Sequence, residues 1–182
     1  VIALADCTYS SDDESVASVA NGVITGESVG GPVTITVSYT EGGITKTDTV
    51  EVTVIPVPNL ELTPSTQSVG AGSQATINVV VENVTDLRGA SITLNFDASK
   101  LQYASSEDGD FIPNDTLQEG SIDNTNGSVT LDIAGLGVSG YHSGMGTGTI
   151  ITVKFLAFAL ASPTNITFGS TTLRDKDNNT IT

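Results

Sequence analysis

The feature that most constrains the fold is the alternation of apolar and polar residues in Val33–Val54, regular over Val33–Tyr39 and again over Val50–Val54. Such a period of two places the apolar side chains on one face of a strand. The run is interrupted by "EGG" at Glu41–Gly43, and adjacent glycines supply the positive φ angles of a hairpin turn. We therefore predict two antiparallel strands here. Because no stretch of the chain shows a convincing helical period, we predict an all-β fold, with apolar hairpin positions at Val33, Ile35, Val37, Tyr39, Val50, Val52 and Val54.

The charge balance restricts the partners. The chain has 182 residues, 21 Asp and Glu against 6 Lys and Arg, and a formal net charge of -15. Nucleic acids and anionic membranes attract clustered cations, so the composition argues against both as partners. The single Cys7 allows no disulfide within the chain, and no apolar run has the length of a membrane span.

Two prolines mark a boundary in "IPVPN", Ile55–Asn59. Proline cannot donate a backbone hydrogen bond to a sheet and stiffens the chain toward an extended linker. We predict one domain at residues 1–55, a linker at 56–58 and a second domain at 59–182. The second domain is predicted to be an antiparallel sandwich of about nine strands, with strand patterns at 59–64, 74–84, 90–97, 127–136, 148–158 and 165–173 and in the "KLQYAS" segment.

The first segment carries "DESVASVANGVITG" followed by "ITV", within Ser11–Val37. These phrases resemble the bacterial immunoglobulin-like domain, group 2. The resemblance covers about residues 5–55 and matches the second half of such a domain. It implies a partial immunoglobulin-like sandwich with exposed strand edges, through which two copies of the chain could pair as a dimer.

The second segment carries "VVVENVTDLRGASITLNFDASKLQY" (Val79–Tyr103), "EDGDFIP" (Glu107–Pro113) and the closing "TTLRDKDNNTI". These phrases, in this order, resemble the cohesin domain. One departure is Ala98, where the family usually has proline. The resemblance implies a jelly-roll β-sandwich and a non-catalytic function, in which the domain binds a dockerin-type protein partner.

The resemblance also implies a binding face, since cohesins present the sheet face of their third, fifth, sixth and eighth strands to a dockerin. Carried over by position, the implied face consists of outward side chains that are mostly small and polar. They are Ser91, Thr93, Asn95, Asp123, Thr130, Asp132, Ile150, Thr152 and Lys154. Ile150 is the one apolar anchor among them.

A calcium site is one interpretation of "DKDNN" near the end of the chain. Asp175, Asp177 and Asn179 alternate as calcium ligands do, but the glycine and the twelfth-position glutamate of an EF-hand are missing. A composite Ca²⁺ site would need further oxygens, which Glu82 and Asp86 of "ENVTD" would supply if the two segments meet. The alternative is an Asp/Asn turn held by hydrogen bonds from the aspartate side chain.

Catalytic constellations are not evident. The single His142 lies in a glycine-rich segment near Ser139 and Ser143, without the strand-turn-helix setting of a catalytic serine. Glu107, Asp108 and Asp110 are candidates for the two carboxylates of a glycosidase. The simpler interpretation is an acidic, solvated turn between strands. We therefore predict that the protein is not an enzyme.

The sequence as a whole predicts an extracellular or cell-surface protein-recognition module of a prokaryotic modular protein. The alternatives left open are a structural or adhesive spacer without a dockerin partner and a carbohydrate-binding module. The chain contains no Trp and four Tyr, which argues against carbohydrate binding because sugars stack on aromatic rings.

Overall fold

A computed structural model describes residues 3–113, 115–135, 143–158 and 163–182. The chain divides into two compact units, Val1–Pro56 and Val57–Thr182. Among the described residues, no helix has the length and apolarity needed to cross a lipid bilayer. The described elements are almost entirely β-strands, so the all-β prediction is confirmed.

The first unit begins with a short 3₁₀ helix, Leu4–Asp6, followed by five strands. Strands β1, β4 and β5 form one antiparallel sheet with β4 in the middle, and β2 pairs with β3. The buried core is small, comprising Ala17, Val33 and Ile35. The strands are β1 (Cys7–Ser11), β2 (Ala17–Ala20), β3 (Val23–Gly26), β4 (Gly30–Glu41) and β5 (Ile44–Val54).

Two hairpin turns are present in this unit, and the turn predicted at Glu41–Gly43 is one of them. Glu41 pairs with Ile44 across Gly42 and Gly43, whose φ angles are 58° and 79°. In the β2–β3 hairpin, Asn21 and Gly22 have φ angles of 52° and 79°. Asn and Gly tolerate this left-handed conformation, and two such residues give the turn whose twist matches the flanking strands.

The second unit contains seven strands in its described part. They are β6 (Asn59–Thr63), β7 (Gln74–Asn95), β8 (Leu101–Asp108), β9 (Asp115–Asp123), β10 (Ser128–Gly135), β11 (Gly144–Ala157) and β12 (Thr167–Asp175). The N-terminal part of β7 pairs with β6 and β11, and β11 pairs with β8. Its C-terminal part pairs with β10 and β12, and β10 pairs with β9. Two four-stranded layers result, which we call the β8 layer (β8, β11, β7, β6) and the β9 layer (β9, β10, β7, β12).

Strand β7 belongs to both layers because it bends. The sequence predicts two strands here, at 74–84 and 90–97, joined by the "ENVTD" loop. This prediction is wrong: residues 74–95 form one strand, and Asn83 and Asp86 have φ angles of 55° and 59° within it. Asn and Asp adopt this conformation more readily than other side chains, so they allow the strand to change layer without ending.

The two layers enclose one core. It includes Val79 and Val81 from the first part of β7, and Ile92 and Leu94 from the second part. At its centre, the fully buried Phe155 ring makes edge contacts with Phe96 and Tyr103, at centroid distances of 5.1 Å and 6.2 Å. The sandwich predicted from the sequence is confirmed.

Candidate binding face

The outward face of the β9 layer is built by alternation along its strands. Ile92, Leu94, Leu131 and Leu173 point into the core, so their neighbours along each strand point outward. The register brings these outward residues into rows across the layer: Asp132, Ser91 and Thr172 in one row, and Ala134, Gly89 and Arg174 in the next.

Several outward side chains of this face are small and polar. Thr93 and Thr130 lie side by side, with their hydroxyls 3.0 Å apart in a hydrogen bond. A Cβ added at Gly120 would lie 3.1 Å from the Asp132 carboxylate, and one added at Gly169 would lie 2.9 Å from the Asn95 amide. Glycine at these two positions therefore keeps the neighbouring polar groups accessible.

Six predicted face residues lie in this layer. They are Ser91, Thr93, Asn95, Asp123, Thr130 and Asp132, on β7, β9 and β10. Ser91, Asn95 and Asp132 are exposed. Asp123 has a local role, since its carboxylate accepts hydrogen bonds from Thr125 N at 2.9 Å and Asn126 Nδ2 at 2.7 Å. These bonds lower the pKa of Asp123, the Asn126 side chain contributing most.

Three predicted face residues lie elsewhere. Thr152 and Lys154 are on β11, in the β8 layer, and Lys154 pairs there with Glu107. Ile150 is fully buried, so its prediction as an outward anchor is wrong. The register of β11 against β7 shifts between Thr149 and Ile151. A bulge of this kind interrupts the alternation, and both Ile150 and Ile151 enter the core.

The strand that completes the face is β12, which sequence reasoning placed outside it. Thr172 pairs with Ser91, and Arg174 with Gly89. Arg174 donates hydrogen bonds to Asn178 O at 3.1 Å and Thr180 Oγ1 at 3.0 Å. Thr172 and Arg174, together with Gly89, Ser91 and Asp132, line a shallow depression of about 510 Å³ at one end of the face. The "NITFGSTTL" segment predicts the strand at 165–173, but its pattern does not identify the strands that it pairs with.

The two segments of the predicted calcium site do meet. Asp175 lies opposite Leu87 in the β12–β7 pairing, and Lys176 Nζ lies 3.9 Å from Asp86 Oδ2. Lys176 also pairs with Asp177. The Lys176 ammonium therefore supplies positive charge between these carboxylates.

The Asp175 carboxylate closes a turn. It accepts hydrogen bonds from Asp177 N at 2.9 Å, Asn179 N at 2.8 Å and Asn179 Nδ2 at 3.0 Å. The Asn179 side chain is the main cause of the lowered pKa of Asp175. Glu82 lies apart from this turn and accepts a hydrogen bond from Asn59 at 3.2 Å. The described residues contain no group of three His, Cys, Asp or Glu placed to hold a metal.

A second acidic group lies where β8 ends and β9 begins. Burial is the main cause of the raised pKa of Asp115, and Asp108 and Asp110 raise it further. Asp115 Oδ2 is buried without a hydrogen-bond partner among the described residues. The predicted carboxylate set of Glu107, Asp108 and Asp110 thus has a fourth member, which its sequence position between strands did not reveal.

The histidine considered for catalysis, His142, lies outside the described residues, as does Ser139. Ser143 is described, and its hydroxyl donates a hydrogen bond to the Asp86 carboxylate. This serine therefore holds the "ENVTD" bend to the start of β11.

Comparison with known proteins identifies the second unit. The family model described as the cohesin domain matches residues 60–182. None of the curated proteins matches the chain. Similar solved structures include a type I cohesin–dockerin complex from Clostridium thermocellum, at 15% identity over 70% of this chain and 92% of that chain, with a TM-score of 0.60.

Two further solved structures share this fold. A type II cohesin domain from the cellulosome of Acetivibrio cellulolyticus is 19% identical over 69% of this chain and 88% of that chain, with a TM-score of 0.57. A non-cellulosomal cohesin from the archaeon Archaeoglobus fulgidus is 20% identical over 62% of this chain and 75% of that chain, with a TM-score of 0.50. The family match spans well over half of the 182 residues. The chain therefore belongs to the cohesin domain family.

Proposed function

We propose that the second unit is a non-catalytic recognition module that binds a dockerin-type protein on the outward face of the β9 layer. Membership of the cohesin family supports a protein partner. The solved relatives include cohesins in complex with dockerins from Clostridium thermocellum and Acetivibrio cellulolyticus. The extracellular or cell-surface location of a prokaryotic modular protein is part of this proposal.

The observation that carries the proposal is the shape and chemistry of that face. Four strands present exposed hydroxyl, amide and carboxylate groups at the outward positions of one layer. Backbone groups in the interior of the layer are used by strand pairing, so a partner would contact side chains rather than add a strand. Asp132 and Arg174 stand on strands that flank the Gly89–Ser91 segment of β7. Opposite charges on the two sides of the face would fix the orientation of a docked partner.

Calorimetric titration tests the proposal. We expect purified dockerin modules from the two bacteria above, with calcium present, to bind the full chain with one-to-one stoichiometry. Asp132→Lys should weaken binding at least ten-fold, because it reverses an exposed charge within the face. Lys154→Glu is the matched control, since it reverses a charge in the β8 layer, and it should leave the affinity unchanged. Absence of binding across a broad set of dockerins, or an equal loss in both variants, would contradict this assignment.

A spacer function without a dockerin partner is the second candidate, and the burial of Ile150 favours it. Tight interfaces depend on a few buried aromatic, apolar or arginine anchors. With Ile150 in the core, Arg174 is the one residue of that kind among the outward positions described above. A spacer would bind none of the dockerins yet retain the full stability of the sandwich. A glycan array tests the carbohydrate alternative separately.

A further inference from the structure

The first unit has a sheet edge without a neighbour. In the order β1–β4–β5, strand β5 pairs with β4 on one side only, and no strand in residues 3–56 pairs with its other side. This edge runs for 11 residues, all exposed from Ile44 to Glu51. A long edge strand of this kind is a template for another strand.

The hairpin geometry shows which backbone groups face the free edge. The two-residue turn makes Glu41 and Ile44 a hydrogen-bonded pair. Groups of alternate residues point to the same side of a strand, so Ile44, Lys46, Asp48 and Val50 direct theirs to β4. Thr45, Thr47 and Thr49 direct theirs outward. Thr49 N accordingly bonds to its own neighbour's carboxylate, Asp48 Oδ1, at 2.9 Å.

The sequence along this edge is symmetric in its chemistry. Reading "ITKTDTV" from Ile44 to Val50 gives apolar, Thr, cation, Thr, anion, Thr, apolar. The centre of the pattern is Thr47. When two such segments lie antiparallel about Thr47, each residue meets one of complementary character from the other copy.

We propose that β5 is a homodimerisation edge, at which a second copy of this chain pairs antiparallel about Thr47. In this register Thr47 faces Thr47, and Thr45 faces Thr49. Because these three residues have outward backbone groups, they form the hydrogen-bonded pairs of the new ladder. This register also keeps the side chains of opposing residues on the same face of the continuous sheet, as antiparallel pairing requires.

The remaining pairs bring the other exposed side chains of the edge together. Lys46 faces Asp48, and Ile44 faces Val50, in positions without backbone bonds, where side chains come closest. Ile44 is 65% exposed and Val50 is 51% exposed, so pairing would remove apolar surface from water. The ion pairs of the described residues involve Lys100, Lys154 and Lys176 and not Lys46. On pairing, Thr49 N would exchange its hydrogen bond to the Asp48 carboxylate for one to the partner strand.

Sedimentation equilibrium of the full chain at about 0.15 M salt tests the proposal. We expect a monomer–dimer equilibrium that shifts to monomer on dilution. Lys46→Asp and Asp48→Lys should each abolish the dimer, since each places like charges opposite one another. The double variant, Lys46→Asp with Asp48→Lys, should restore it. Glu51→Lys is the matched control, because it changes the net charge as Asp48→Lys does but lies outside the paired segment.

A backbone variant gives an independent measurement. Thr47→Pro removes an outward N–H and none that β4 uses, so the hairpin should remain folded by circular dichroism while the dimer is lost. Thr47→Val retains the N–H and should retain the dimer. The proposal is overturned if the wild type stays monomeric up to about 1 mM. It is equally overturned if a wild-type dimer persists in the single charge reversals and in Thr47→Pro.

Discussion

Tyr103 of β8 donates its phenolic hydrogen bond to Glu119 of β9, joining the outermost strands of the two layers. Asn124 supports the same junction, because its amide oxygen accepts from Tyr103 N at 2.8 Å. Strands β8 and β9 belong to different layers and share no ladder. These side chains therefore hold the sandwich closed along this side.

Removing the hydroxyl should loosen that closure. We expect Tyr103→Phe to lower the free energy of unfolding by about 1 to 2 kcal/mol, the lower part of the range for a hydrogen bond to a charged group, because Glu119 is exposed. Urea denaturation monitored by circular dichroism measures it. Gln118→Ala, which changes an exposed residue of the same strand β9, should change stability by less than about 0.5 kcal/mol. Equal effects of the two substitutions would show that the hydroxyl contributes nothing specific.

The same hydroxyl should make stability fall at alkaline pH. Burial, together with Glu119, raises the pKa of Tyr103 from 10.0 to about 12. Between these values the unfolded chain releases the proton while the folded chain keeps it, so stability falls as pH rises through this window. Tyr103→Phe should lack this component of the loss. Ultraviolet difference absorbance should show Tyr103 ionising at about pH 12, and ionisation near 10.0 would contradict the prediction.

Asp115 should act with the same sign as Tyr103 but in the acid range, so stability falls as pH rises through its raised pKa. Its pKa is raised above 3.8 by burial, Asp108 and Asp110, so its ionised form is disfavoured in the folded state. We expect Asp115→Asn to be more stable than the wild type at neutral pH, by less than about 1 kcal/mol because the residue as a whole is only partly buried. The difference should disappear as pH falls through the raised pKa. Thermal melts across this range measure it, and a variant less stable than the wild type at neutral pH would contradict the prediction.

Ile150 and Thr152 should respond differently to truncation. Ile150 is fully buried at the bulge of β11, so Ile150→Ala should cost about 3 kcal/mol through lost burial and the cavity left behind. Thr152 is half-buried, and its hydroxyl donates to Asn78 at 3.0 Å. Thr152→Ala should therefore cost about 1 kcal/mol. Chemical denaturation measures the loss of unfolding free energy in each variant. Equal small losses would contradict the burial of Ile150.

Calcium binding at the junction of Asp86 and Asp175 stays a prediction. If an ion binds there, calcium should raise the melting temperature relative to chelator, and saturation at about 100 times Kd adds about 2.7 kcal/mol. Asp86→Asn should lose the rise, whereas Glu107→Gln, on the separate acidic segment, should keep it. An unchanged melting temperature would leave Asp175 as a turn residue alone.

Local chemistry made the hairpins predictable. Asn21–Gly22 and Gly42–Gly43 each supply two positive φ angles between alternating strands, and this information lies within a few residues of sequence. The sandwich, in contrast, was predicted from a family resemblance, because the cohesin-like motifs occur in the same order over the whole second unit.

The make-up of the outward face of the β9 layer was only partly predictable. The resemblance to cohesins placed residues of β7 and β10 on one face, and these two strands do pair in this layer. It matched β11 to the remaining strand, whereas β12 completes the layer, because alternation states which side of a strand meets the core but not which strands are its neighbours. The bulge at Ile150 breaks the period itself, so no rule of alternation could predict its burial.

The bend in β7 lets one continuous strand belong to both layers of the sandwich. Its 22 residues contribute pairing partners to both layers, so neither layer retains a complete set of strands without it. A module boundary drawn at the Asn83–Asp86 segment would therefore cut a strand that both layers use. The smallest segment that keeps a complete set of strands in either layer is therefore the one that also contains the strand shared with the other layer.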